Sequence, residues 1–166
     1  VALTTAPDKM SPYAGSLWRE VWRYGKQVEA MEMGERLVDD RTASPQNRAS
    51  FQIFLGQDYL VFGELAKARS TLARAEREIA VLPASVPLSG RMQLIIEGER
   101  LRSSILQREG NLPGAEAAAK KALAVATDEV VRLKAMPSAN SMDQDRSLRT
   151  RDPVMHRLIN VYVAQG

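Results

Sequence analysis

An all-α chain of antiparallel helical hairpins, stacked one on the next, is the fold class this sequence predicts, and three observations predict it. Apolar residues recur at steps of three and four, which places them on one face of a helix: Leu65, Ala68, Leu72, Ala75, Ile79 and Leu82, then Leu112, Ala115, Ala119, Ala122, Ala126, Val130 and Leu133. Aromatic residues make up only 5% of the 166, whereas Ala, Leu, Arg and Glu fill the long segments, a composition that favours helix over sheet. Breakers alternate between single glycines (Gly25, Gly63, Gly110) and long polar or Pro-rich stretches (40–46, 83–90, 137–153), so the helices pair into hairpins.

Taken in order, residues 1–11 are rich in Thr, Ala and Pro and read as a linker into a repeat domain spanning 12–166. The first hairpin, 12–40, carries Leu17, Trp18, Val21 and Tyr24 before Gly25, and Ala30 and Leu37 after it. The second, 46–82, carries Phe51, Leu55, Tyr59 and Phe62, turns at Gly63, and continues into the first stripe named above. The third, 90–136, carries Leu94, Leu101 and Ile105, turns at Gly110, and ends in an Ala-rich helix whose small side chains let a neighbouring backbone come close. Met155, Leu158, Ile159 and Tyr162 mark the first helix of a further hairpin, 153–166. The segment before it, with Ser138, Asn140, Ser141, Asp143, Gln144, Asp145 and Arg146, has too little apolar content for an element and reads as a loop.

Composition bounds the chemistry. With 45% of positions hydrophobic the chain can bury a core of its own. There is no cysteine, which excludes a disulfide scaffold, a zinc finger and a thiol nucleophile, and one histidine, His156, leaves little for an imidazole-based metal site. No apolar run reaches the roughly 20 residues of a spanning helix, so no membrane span is expected. The chain opens on Val1 and closes on Gly166 inside what reads as a hairpin, so the expectation is a processed or excised piece. Its compartment is open between the cytoplasm and a bacterial periplasmic or secreted location reached after removal of a signal that this chain does not contain.

Gly25, Gly63 and Gly110 are each followed five residues later by alanine, at Ala30, Ala68 and Ala115. Leu55-Gly56 followed by Tyr59 matches the pattern L-G-x2-Y, and Ala68 with Leu72 stands where that pattern continues into Ala and an aromatic; the chain therefore resembles the tetratricopeptide repeat family. The third unit keeps Gly110, Ala115 and Ala122 but has Ser103 where the family places a first-helix glycine, and the first has Gly34 where the family has a bulky residue. Glycine-to-glycine separations of 38, 47 and 56 from Gly25 to Gly166 exceed the 34 of the standard repeat, so the repeats are degenerate and elongated. The resemblance implies a right-handed α-solenoid of about three and a half repeats.

It further implies a non-catalytic protein-protein interaction scaffold that takes a peptide or partner protein in a concave groove lined by the first helix of each hairpin. Carried over by position, the lining is Arg19, Trp22 and Arg23; Ile53, Gln57, Leu60 and Val61; Glu97, Arg100, Ser104, Gln107 and Arg108; and His156 and Asn160. Such a groove is polar and net basic, and guanidinium groups suit an acidic peptide, although the same arginines serve equally as a solvated helix face. The family's clamp for chaperone C-terminal carboxylates uses paired Lys and Asn, and the Asn pair is missing here. Trp18 is expected to pack inward; Trp22 stands open between capping the array and anchoring a partner. An uncapped repeat end also offers a homodimer contact.

The other classes have less to stand on. His156 lacks a second histidine or clustered carboxylates and reads as a surface or packed residue, and the paired acids Asp39–Asp40 and Asp143–Asp145 lack an EF-hand's spacing and turn glycine. Neither phosphate-loop motif occurs, and no small-molecule cofactor is expected. Net charge is +3 with both signs interspersed, and the basic stretch Arg146, Arg149, Arg151 and Arg157 has no aromatics to stack bases and is diluted by Asp143, Asp145 and Asp152, which leaves anionic-polymer (nucleic acid) binding as a weak second alternative. The first alternative to the scaffold is a structural or regulatory segment of a larger multidomain bacterial enzyme or signalling protein, with catalysis outside these residues.

Overall fold

The structure, a computed structural model, describes Val21 and residues 25–135. Expectations for the linker, for Trp18 and Trp22, for the loop beyond 136 and for the helix at 153–166 lie outside the described residues. Within them the chain is all-helical: α1 (Gln27–Asp39), α2 (Pro45–Val61), α3 (Leu65–Ala80), α4 (Leu88–Arg108) and α5 (Leu112–Ala135), with no strand. Helix α1 packs on α2, α2 pairs with α3, α4 lies against both α2 and α3, and α5 pairs with α4.

The glycine turns are built alike. Gly25, Gly63 and Gly110 have φ of +76°, +79° and +78°, the left-handed conformation that closes a helix without steric cost only when Cβ is absent. In each turn the amide after the glycine reaches back five residues: Lys26 to the Val21 carbonyl at 3.3 Å, Glu64 to Tyr59 at 2.9 Å, Asn111 to Leu106 at 2.9 Å. The next helix then opens on equivalent bonds, from Ala30 to Lys26, Ala68 to Glu64 and Ala115 to Asn111, at 2.9, 3.0 and 3.0 Å. The alanine offset seen in sequence is thus the first closed bond of the second helix.

The long connections end helices by other means. Asp40 caps α1, and its Oδ1 accepts from the Thr42 amide and hydroxyl at 2.8 and 2.7 Å. Ser44 caps α2, accepting from the Asn47 amide at 3.2 Å, with Pro45 in the first turn where its missing N–H costs nothing. The third connection is shorter than expected: α4 begins at Leu88, inside the stretch read as loop. Pro87 stands at the cap and its carbonyl takes the first helical bond from Arg91, so Ser89 and Gly90 fall in a first turn whose amides need no partner. Leu82, read as the end of the α3 stripe, lies past the helix end and is buried all the same.

The main core joins α1 to α4 through Leu37, Ile53, Leu55, Tyr59, Leu72, Leu94, Leu101 and Ile105, and a smaller cluster joins Ile96 on α4 to Ala122 and Ala126 on α5. Gly56 sets the spacing of α2 and α4. A Cβ there would stand 2.6 Å from Leu101 Cδ2 and 3.5 Å from the Ala68 carbonyl oxygen. Forty-seven residues on, Ser103 occupies the same place beside Ala115 and is fully buried, and its hydroxyl donates to the Ala115 carbonyl at 2.8 Å. A hydrogen bond stands where the preceding unit has a close approach.

Candidate functional site

The side-by-side packing of α2 and α4 places the carried-over groove positions on neighbouring helices. Gln57 and Leu60 on α2 and Arg100, Ser104 and Gln107 on α4 are half-buried, and Val61 and Arg108 are exposed. The 47-residue offset pairs Gln57 with Ser104, Leu60 with Gln107 and Val61 with Arg108. Arg19, Trp22, Arg23, His156 and Asn160 lie outside the described residues.

Two features of this face differ from the sequence expectation. Ile53, counted with the lining, is 1% exposed and part of the core, where it and Leu72 pack beside Gly98 of α4. The basic character is also reduced. Both Glu97 oxygens accept from Arg100, at 2.9 and 3.0 Å, and Gln93 donates to the same carboxylate at 3.1 Å. One lining acid therefore neutralises one lining base across a single turn. Arg108 makes no ion pair among the described residues and carries the unmatched charge of the α4 stretch. Ser104 donates to the Arg100 carbonyl at 3.0 Å, so its hydroxyl retains acceptor capacity for a ligand.

A polar cleft away from that face escaped the sequence reading. The end of α1, the loop after it, α2 and α3 together enclose an open cleft of about 490 Å³ lined by Val38, Asp39, Arg41, Arg48, Arg74 and Glu78. Arg48 is fully engaged: it holds Glu78 through two bonds of 3.2 and 3.1 Å and donates to the Ala43 carbonyl at 2.7 Å. Arg74 reaches Asp39 Oδ1 at 2.7 Å through one nitrogen. Asp39, the last residue of α1, faces water and has this partner on α3. The residues lie up to 40 positions apart and share no spacing, so no local signal joins them.

Elsewhere, charged side chains tie helices together. Glu99, with its side chain 8% exposed, accepts from Lys121 of α5 at 2.6 Å and lies 3.5 Å from Arg102, which also pairs with Glu76 of α3. Tyr59 donates to Glu35 Oε1 at 2.6 Å with the Lys67 ammonium 5.3 Å from its ring centre. Burial and then this bond to Glu35 push the phenol above its ordinary value. Among the described residues no group of three His, Cys, Asp or Glu side chains is placed to hold a metal ion, and no helix is long and apolar enough to cross a membrane. Comparison with protein-family profiles, with curated proteins and with solved structures finds no match to this chain.

Proposed function

We propose that this chain is a non-catalytic interaction scaffold of tetratricopeptide-like hairpins, and that the α2–α4 face takes a peptide or a partner protein. One observation carries the reading: the hairpins α2–α3 and α4–α5 repeat the same turn and the same contact between first and second helix, while the outward stripe of α4 stays polar and that of α2 mixes Gln57 with Leu60 and Val61. Most apolar positions are consumed in stacking, Leu60 in part among them, so Gln57, Ser104, Gln107 and Arg108 have no evident structural duty. A half-buried row of amides, a hydroxyl and one unmatched guanidinium suits an extended backbone with an acidic side chain, since amides can donate and accept along it and Arg108 can fork onto a carboxylate.

The test is charge reversal on that face. Arg108→Glu combined with Arg100→Glu should abolish capture of cross-linked partners from the source cell's lysate while the helical circular dichroism signal stays unchanged. A partner set indifferent to the double reversal would make the arginines a solvated face and remove the proposal.

A further inference from the structure

The cleft at the α1–α2 corner has an unbalanced set of charges with a particular internal arrangement. Its lining holds Arg41, Arg48 and Arg74 against Asp39 and Glu78. Arg48 and Glu78 form a closed pair, with side chains only 22% and 24% exposed, that clamps the α1–α2 loop through the Ala43 carbonyl. The loop is further tied by the two bonds from Thr42 to Asp40, so Arg41 projects from an ordered segment. Among the described residues Arg41 forms no ion pair. The second pair is open: Asp39 and Arg74 are 72% and 41% exposed, and Arg74 uses one of its nitrogens on one carboxylate oxygen. A guanidinium offers five N–H donors in a planar fork, so most of Arg74 is unspent.

We propose that this cleft binds a carboxylate side chain of an acidic peptide, held between Arg41 and Arg74, with Asp39 as the internal competitor it displaces. The charge supports a monoanion: three guanidiniums against two carboxylates in the lining leave a single positive charge, which one carboxylate neutralises, whereas a phosphate dianion would leave the lining with a net negative charge. The volume supports a peptide, because about 490 Å³ of open cleft exceeds what one small ion fills. Asp39 already shows a carboxylate in the fork of Arg74. Its side chain is 72% exposed, so water solvates the Asp39 carboxylate when an incoming carboxylate takes its place. This inference is independent of the α2–α4 face, which neither Arg41 nor Arg74 belongs to.

The two arms of the model predict opposite signs. With a fluorescein-labelled peptide of alternating Glu and Ser as probe, followed by anisotropy at low salt, Arg41→Glu should weaken binding roughly tenfold or more, the loss of one charge-assisted contact. Asp39→Asn, which removes the competitor, should tighten it severalfold, and inorganic phosphate at matched ionic strength should displace the probe no better than chloride. Arg41→Gln, which deletes the charge without adding one, serves if the reversal disturbs the loop, and circular dichroism checks the fold of each variant. Absence of binding, or binding that ignores both the Arg41 and Asp39 substitutions, would overturn the proposal. So would loss confined to the Arg100→Glu and Arg108→Glu double variant, which moves the peptide to the other face, or efficient displacement by phosphate, which makes the cleft a small-anion site.

Discussion

Tyr59 shows how one residue can be legible in sequence as to its place and not as to its partners. Its spacing from Leu55 and Gly56 puts it on the inward face of α2, and it is buried there. That its hydroxyl meets Glu35 at 2.6 Å depends on where α1 lies. The phenol's ionisation is raised above the ordinary value of 10.0, so the folded state holds the proton where the unfolded chain releases it. The stability this confers is complete below pH 10 and declines as pH climbs through the folded-state value, since the unfolded chain then binds fewer protons. Tyr59→Phe is expected to cost about 1 kcal/mol at neutral pH, for a hydrogen bond to a carboxylate that water can reach once freed. It should also flatten the loss of stability above pH 10; urea unfolding of both proteins across that range measures the difference, and equal alkaline slopes would refute it.

At the scale of the element, two kinds of glycine do different work. Gly110 has open space around its Cβ position and is needed for its φ of +78° alone; Gly56 has ordinary helical backbone and is needed because Leu101 comes so near. Gly110→Ala is therefore expected to destabilise by about 1 kcal/mol, the cost of a left-handed alanine, with no change in the packing of α4 on α5. Thermal denaturation gives the cost, and hydrogen exchange at Ala115 and Leu112 should show loosening confined to the turn. A loss several times larger would mean that the turn also sets how the two long helices pair. The sequence pattern marked both glycines, but only the helix crossing separates a conformational requirement from a spatial one.

The whole molecule is held by interfaces between near neighbours along the chain: no packing interface joins α1 to α5, while α4 touches both α2 and α3. Stability in such an arrangement is approximately a sum of local contributions. Val38→Ala in α1 and Val130→Ala in α5, both at buried positions, should each cost about 1–2 kcal/mol. Their combination should equal the sum within roughly 0.5 kcal/mol. Ile53→Val and Leu72→Ala, which share the neighbourhood of Gly98, should couple more strongly. Denaturant unfolding of the two sets of variants decides it, and strong coupling between Val38 and Val130 would show a single cooperative core in place of stacked units.

Helices, their pairing into hairpins and the position of each tight turn follow from the amino-acid order alone, because periodicity of three and four, proline at a first turn and glycine at positive φ act within a few residues of chain. The identity of the exposed and paired groups does not follow. Ile53 and Arg100 occupy positions 47 residues apart in successive hairpins, yet Ile53 is buried against α4 while Arg100 stays half-exposed and bonded to Glu97. A side chain's burial is a property of what crosses it, not of its place in the repeat. Likewise Arg41 and Arg74 meet over one cleft, and Glu99 meets Lys121, only through packing between helices. Local rules determined the elements; the contacts between elements decided which charges were spent on the fold and which were left for a ligand.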